Sequence, residues 1–288
     1  MQEITIPILI GFIGLVIGSY TDIRTREVPD WINYGMILTG FAVNVIYAIV
    51  FSKWSYIIYS LLGFGLCLLI SLMMFYTGQW GGGDSKMLMG LGALIGLKWS
   101  IRNEFLLSFF VNIIIIGGIY GFAWSIFLAL KNFNRVVSRW KRFSLNKGSI
   151  NVRNIIFISS FIIIIFTLIM RNYSLFIYMA LISTLAIITF YLWIFIRSIE
   201  EAVMIKAVPP NKLTEGDWIA ENVYLKGKYL CGPNDLGISK KQIRELKKLY
   251  ILGRIKKVLV KNGIPFVPSF LIAYALTFFI SNILGIFM

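Results

Sequence analysis

Histidine is absent from this chain of 288 residues, and cysteine occurs only twice. Without an imidazole, no Ser-His or Cys-His relay has its base. Two thiols, Cys67 in an apolar run and Cys231 in a polar one, cannot build a disulfide framework or a four-thiolate zinc site. Charge is also scarce: charged residues make up 14% of the chain and hydrophobic residues 58%, with a mean hydropathy of +0.79. That balance excludes an ordinary soluble domain and places the chain in a bilayer. Acids are the rarest charged class, 13 against 28 Lys and Arg, giving a formal net charge of +15. An excess of that size fits nucleic acid in principle. Here, however, the basic residues sit mainly between apolar runs, as cytoplasmic loops facing anionic lipid require. The expected partner is membrane lipid, with no nucleic acid.

What is present is a series of long apolar runs. Roughly eight can be counted, at residues 4–20, 34–51, 56–76, 85–97, 105–130, 154–170, 174–196 and 264–287. The expected fold is therefore mostly α, a polytopic membrane protein with about eight transmembrane helices and a small cytoplasmic α+β domain. The fourth run is short: from Gly81 to Leu97 it spans about 25 Å as a helix, against a hydrocarbon core of about 30 Å. The first run has no basic stretch before it and no clear cleavage site, so it reads as a retained helix rather than a signal peptide.

Charge sets the orientation. With the N-terminus outside, the inner segments 21–33, 77–86, 131–153 and 197–263 carry 24 of the 28 Lys and Arg. Lys53, Lys98, Arg102 and Arg171 are left outside, a strong positive-inside bias. Three regions follow. Residues 1–197 form a membrane domain interrupted by a basic interfacial linker at 131–153, which contains no acid. Residues 198–263 form the small α+β domain, with strands in VMIKAV, DWIAENVYL and KKVLVKNG and a helix after Ser239. Residues 264–288 form a C-terminal membrane helix.

Two acids stand out because they lie at the ends of apolar runs on the expected inner side. Asp22 ends the first run in SYTDIRTREVPDW, and Asp84 follows the glycines of GQWGGGDSKM. An ionisable side chain at a membrane boundary is costly to desolvate and marks a functional site by default. Gly81, Gly82 and Gly83 permit positive φ and a close approach of backbone to a substrate peptide. Each acid also has a plainer reading, Asp84 as a helix N-cap and Asp22 as a loop acid paired with Arg24 or Arg26. If the two carboxylates meet about 4 Å apart, their repulsion is about 4 kcal/mol at an effective dielectric of 20. That is enough to hold one proton on the pair near neutrality. The ionised member then activates a water and the protonated member polarises the scissile carbonyl, with no metal and no cofactor.

Other residues attach to this scheme. Lys86 anchors the loop to headgroups or binds a substrate carbonyl. Glu27 and Asp30 are placed to attract a basic peptide. Pro265 and Pro268 open the last helix and leave carbonyls free for an extended substrate.

Taken together the motifs resemble the type IV prepilin peptidases, particularly the archaeal preflagellin and prepilin peptidases, membrane aspartic proteases of the GxGD type. Asp22 with Val28-Pro29 matches the family's first block. Gly81, Gly83, Asp84 and Lys86 match Gly-x-Gly-Asp-x-Lys, and GIPFVPSFLIA at 263–273 resembles the entry to its terminal helix. The resemblance implies catalytic roles for Asp22 and Asp84, and cytoplasmic-side cleavage of short basic leaders from prepilin-like or archaellin precursors at the cell membrane. Many bacterial relatives carry a four-cysteine zinc domain and also methylate the new N-terminus. That domain has no counterpart here, so peptidase activity without methyltransferase activity is expected. Two alternatives remain: a presenilin-like intramembrane protease, disfavoured because Thr21 rather than Tyr precedes Asp22, and a non-enzymatic transporter or assembly component.

Overall fold

The computed structural model describes residues 2–98, 104–225 and 227–280. Arg102, counted above on the outer side, and the end of the final apolar run lie outside the described residues. Helices dominate: α1 (Gln2–Thr25), α2 (Asp30–Val50), α3 (Ser55–Tyr76), α4 (Gly82–Ile95), α5 (Phe105–Lys131), α6 (Phe133–Ser144), α7 (Lys147–Ile169), α8 (Tyr173–Ile199), α9 (Lys240–Ile251) and α10 (Val267–Ile280). Five short strands, β1 (Ile205–Val208), β2 (Trp218–Ile219), β3 (Val223–Leu225), β4 (Lys228–Cys231) and β5 (Val258–Lys261), follow α8. The protein is a mostly helical, multi-pass membrane protein.

Six helices among the described residues are long and apolar enough to cross a bilayer: α1, α2, α3, α5, α7 and α8. Among the described residues the expected count of about eight is not confirmed: α4 and the described part of α10 have 14 residues each. At the helical rise α4 is about 21 Å long, short of the hydrocarbon core. Its surroundings explain why it can be short. Met87, Leu88 and every residue from Gly90 to Ile95 are buried, a helix covered on all sides rather than one facing lipid.

The chain forms two compact units. The first combines Met1–Trp124 with Val208–Val258 and Asn262–Met288. In it, α4 packs against α1, α2 and α3, and α10 against α1. Leu15, Met36, Cys67, Leu91, Phe109 and Phe270 belong to its core. Helix–helix packing in a membrane relies on small residues that let backbones approach. Here a Cβ on Gly40 of α2 would lie 2.7 Å from the Leu94 nitrogen, and one on Gly63 of α3 would lie 2.7 Å from Gly96 Cα. Asn44 and Ser60 tie the same end of α4 down, donating to the Ala93 carbonyl at 3.1 and 2.6 Å. The polar segment of this unit carries α9, whose start is fixed by Ser239. The Ser239 amide donates to Gln242 Oε1 at 2.8 Å, and Ser239 Oγ accepts from the Gln242 amide at 3.4 Å. Strands β3 and β4 pair antiparallel, Tyr224 opposite Tyr229.

The second unit comprises Ser125–Ala207 and Leu259–Lys261. Its long helices α7 and α8 are joined by a tight turn at Arg171, with φ 49°, and Asn172 caps α8 by accepting from the Leu175 amide at 3.0 Å. The basic stretch expected as a linker is helical instead, forming α6 and the opening of α7. Phe133, Val136, Trp140 and Phe143 recur at helical spacing, so one face is apolar and the other basic. Val136 is buried, and Trp140 stacks on Tyr191 of α8 at 6.3 Å. Arg139 and Arg142 share the Glu201 carboxylate at 2.7 and 2.9 Å, and Lys261 pairs with Glu200 at 2.6 Å.

Candidate active site

Helix α1 runs past the expected boundary to Thr25 and closes on Arg26, whose φ of 63° is the left-handed conformation common just beyond a helix end. Val28-Pro29 cannot continue a helix, so the chain turns there and restarts as α2 at Asp30. Asp22 therefore lies inside α1, one turn from its end, and is only 6% exposed. Its Oδ2 accepts from the amide of Val267 at 3.0 Å. Val267 opens α10, and the first amides of a helix have no partner within it. A carboxylate from one helix thus caps another, a contact across 245 residues of sequence.

Asp84 occupies the third position of α4, after Gly81, which is the N-cap, rather than the cap itself. Its Oδ2 reaches back to the Gly81 amide at 3.1 Å. The glycines do not use positive φ: Gly81 has φ −71°, and the left-handed residue of this loop is Gly78, at +71° against the Trp218 ring. What they supply is room. A Cβ on Gly83 would sit 3.3 Å from Val28 Cβ and 3.4 Å from its nitrogen, so the turn before α2 fits against the start of α4. Trp80 then locks this loop to the start of α10, its ring 5.9 Å from that of Phe266 and 5.1 Å from that of Phe270.

These contacts bring Asp22 and Asp84 within electrostatic range of each other. Burial first, and then the neighbouring Asp22 carboxylate, raise the pKa of Asp84 above the ordinary carboxylate range, against a smaller lowering by the Gly81 amide. Such a pair holds a proton that a solvated pair would have released, which is what shared acid–base work by two carboxyl groups needs.

The remaining sequence-derived residues are engaged within the molecule. Lys86 pairs with Asp30 at 2.6 Å and lies over the Tyr34 ring at 5.1 Å. Glu27 accepts from Thr214 Oγ1 at 3.0 Å. Pro268 is the second residue of α10 and Pro265 precedes it. Among the described residues no three His, Cys, Asp or Glu side chains gather where they could hold a metal ion.

Two aromatic residues at the site were not apparent from the motifs. Trp80 stands inside GQWGGGD and could have been noted as the one large side chain in a glycine run. Tyr120 lies in the middle of α5, where only its place in Gly117-x-x-Tyr120-x-x-x-Trp124, one face of a helix, hints at a shared role.

Residues 9–122 match the type IV leader peptidase family. The chain is 39% identical over 90 residues to a preflagellin peptidase of Methanocaldococcus jannaschii, a match covering 31% of this chain and 38% of that protein. It is 41% identical over 90 residues to a preflagellin peptidase of Methanococcus maripaludis, covering 31% and 39%. It is also 41% identical over 86 residues to one of Methanococcus voltae, covering 30% and 36%. The matches thus span well under half the length of these curated relatives. No solved structure matches the chain.

Proposed function

We propose, from the match of residues 9–122 to the type IV leader peptidase family, that the chain is a member of that family and an aspartic endopeptidase working from the two acids Asp22 and Asp84. Its substrates are prepilin- or preflagellin-type precursors, from which it removes a short basic leader on the cytoplasmic face of the membrane. No methyl transfer accompanies the cleavage. The observation that supports this reading best is the pairing itself: buried Asp22 lies within electrostatic reach of half-buried Asp84, 62 positions away in sequence, and each carboxylate accepts from a backbone amide.

In the reaction, the ionised carboxylate takes a proton from a bound water. The water oxygen attacks the scissile carbonyl carbon as the protonated partner donates toward the carbonyl oxygen. The tetrahedral intermediate collapses with proton transfer to the leaving nitrogen, releasing the leader as an acid and the mature chain as an amine. Gly81 and Gly82, where an added Cβ would meet nothing nearer than 3.5 Å, leave a lane for an extended peptide beside Asp84. Glu27 and Asp30, at the turn between α1 and α2, are the acids nearest along the chain that can draw in a basic leader, Asp30 after release from Lys86.

The test is cleavage of a basic-leader precursor in detergent, read by mass. Asp22→Asn and Asp84→Asn keep the side-chain shape and an oxygen that can accept the Val267 or Gly81 amide, so folding should persist. Each is expected to reduce cleavage by at least about 10³-fold, the scale on which essential catalytic groups act. A protein that still trims the precursor with both acids replaced would overturn the reading.

A further inference from the structure

We infer that the hydroxyl of Tyr120 is a further catalytic group of this site, hydrogen-bonding the oxygen of the scissile peptide bond beside Asp22. The inference rests on the aspartic-peptidase reading of Asp22 and Asp84 and adds a donor to it.

Five contacts put Tyr120 at the site. A Cβ on Gly117, three residues earlier on α5, would come 2.7 Å from Phe266 Cζ, so α5 lies directly against the segment whose next residue, Val267, donates to Asp22. Tyr120 stacks on Trp124 at 5.8 Å with the rings 27° apart. Trp124 in turn lies under the Arg26 guanidinium at 5.5 Å. The Arg26 amide donates to the Asp22 carbonyl at 2.9 Å, and its Nη1 donates to the Gly263 carbonyl at 2.6 Å, which closes the ring of contacts back toward α10. The phenol is thereby held between α1 and the entry to α10, within the field of the Asp22 carboxylate.

The hydroxyl itself is unspent. Tyr120 Oη is buried and has no hydrogen-bond partner among the described residues. A buried tyrosine normally finds one, because an unpaired hydroxyl costs about 1–3 kcal/mol. A helix carrying such a cost beside Asp22 is explained if the partner arrives with the substrate. The chemistry fits. As water adds to the carbonyl carbon, charge accumulates on the former carbonyl oxygen, and a neutral phenol stabilises it without adding a third charge to the acid pair. Ser19, also buried without a partner, lies one turn before Asp22 on α1, and replacing it serves as a comparison.

Tyr120→Phe removes the hydroxyl and keeps the ring stacked on Trp124. Expected is a fall of about 10²-fold in kcat with KM changed by less than about threefold, the signature of a donor used in the transition state. Ser19→Ala should leave kcat within about twofold. Should Tyr120→Phe misfold, 3-fluorotyrosine at position 120 preserves shape and alters only the donor strength, and kcat should respond. Wild-type kcat in Tyr120→Phe, or an effect confined to melting temperature, overturns the inference while leaving the reading of the aspartates intact. If Asp22→Asn still cleaves in the same assay, it is the underlying reading that fails.

Discussion

Helices α2, α3 and α4 and the pair α7 and α8 are similarly apolar, yet they are packed by different means. In the first group the contacts are made by glycines against backbone: Gly40 faces the Leu94 nitrogen, and Gly63 faces Gly92 and Gly96. In the second the buried groups are side chains, Ser160 and Thr167 of α7 with Ser183, Phe190, Ile194 and Ser198 of α8, while large residues such as Ile158, 61% exposed, turn outward. Glycine contact brings helices closer and leaves no side chain to adjust. A short helix such as α4 can then be fixed on all sides, with Asp84 at its first turn. Contacts made through side chains leave groups that can adjust. The site is built where the backbone itself is the packing surface.

This contrast is sharpest within one helix. Gly63→Ala should cost about 2–3 kcal/mol through forced displacement of α4, lowering both the melting temperature in detergent and cleavage. Gly65→Ala, two residues on and with nothing within 4 Å of the new methyl, should stay within about 1 kcal/mol. Equal effects at the two positions would remove the distinction. The acid pair provides the next test. Because the folded-state pKa of Asp84 is raised above its unfolded value, the folded protein retains a proton that the unfolded chain has lost. Stability is thus present at low pH and falls as pH rises from the ordinary carboxylate value through the raised one. Asp84→Asn should flatten this fall in melting temperature against pH. An unchanged slope would mean that another group is responsible. A smaller effect is expected at Asn112, which joins α5 to α10 through Thr277 at 2.8 Å. Asn112→Leu should cost about 1–2 kcal/mol, while Ile158→Val on the exposed side of α7 should cost at most about 0.5.

Much of this was legible in the chain. The extent of α2, α3 and α5 follows from long runs without charge, because a bilayer demands internal satisfaction of every backbone group. The start of α9 at Ser239 follows from a Ser-x-x-Gln capping pattern. The two motifs around Asp22 and Asp84 also stood out, since an acid at the edge of an apolar run is rare. Other features were hidden. The extension of α1 past Asp22 was obscured because Thr21, Asp22 and Arg24 break the apolar run without breaking the helix. The helix α6 was masked by its charges, although its apolar residues kept helical spacing. The shortness of α4 depends on its being enclosed by neighbours, which no local pattern announces.

By itself the sequence determined that this is a helical membrane protein with two boundary acids, because hydrophobicity and the scarcity of charge act locally and are additive along the chain. Only the tertiary structure decided that Asp22 caps α10 and that Asp84 reaches back to its own helix start. The same is true of the Trp80 cluster that joins the loop to α10 and of the solitary hydroxyl of Tyr120 beside them. Those relations join residues from distant parts of the chain, and they arise from how closely helices can approach, a property of shape in three dimensions rather than of any one segment.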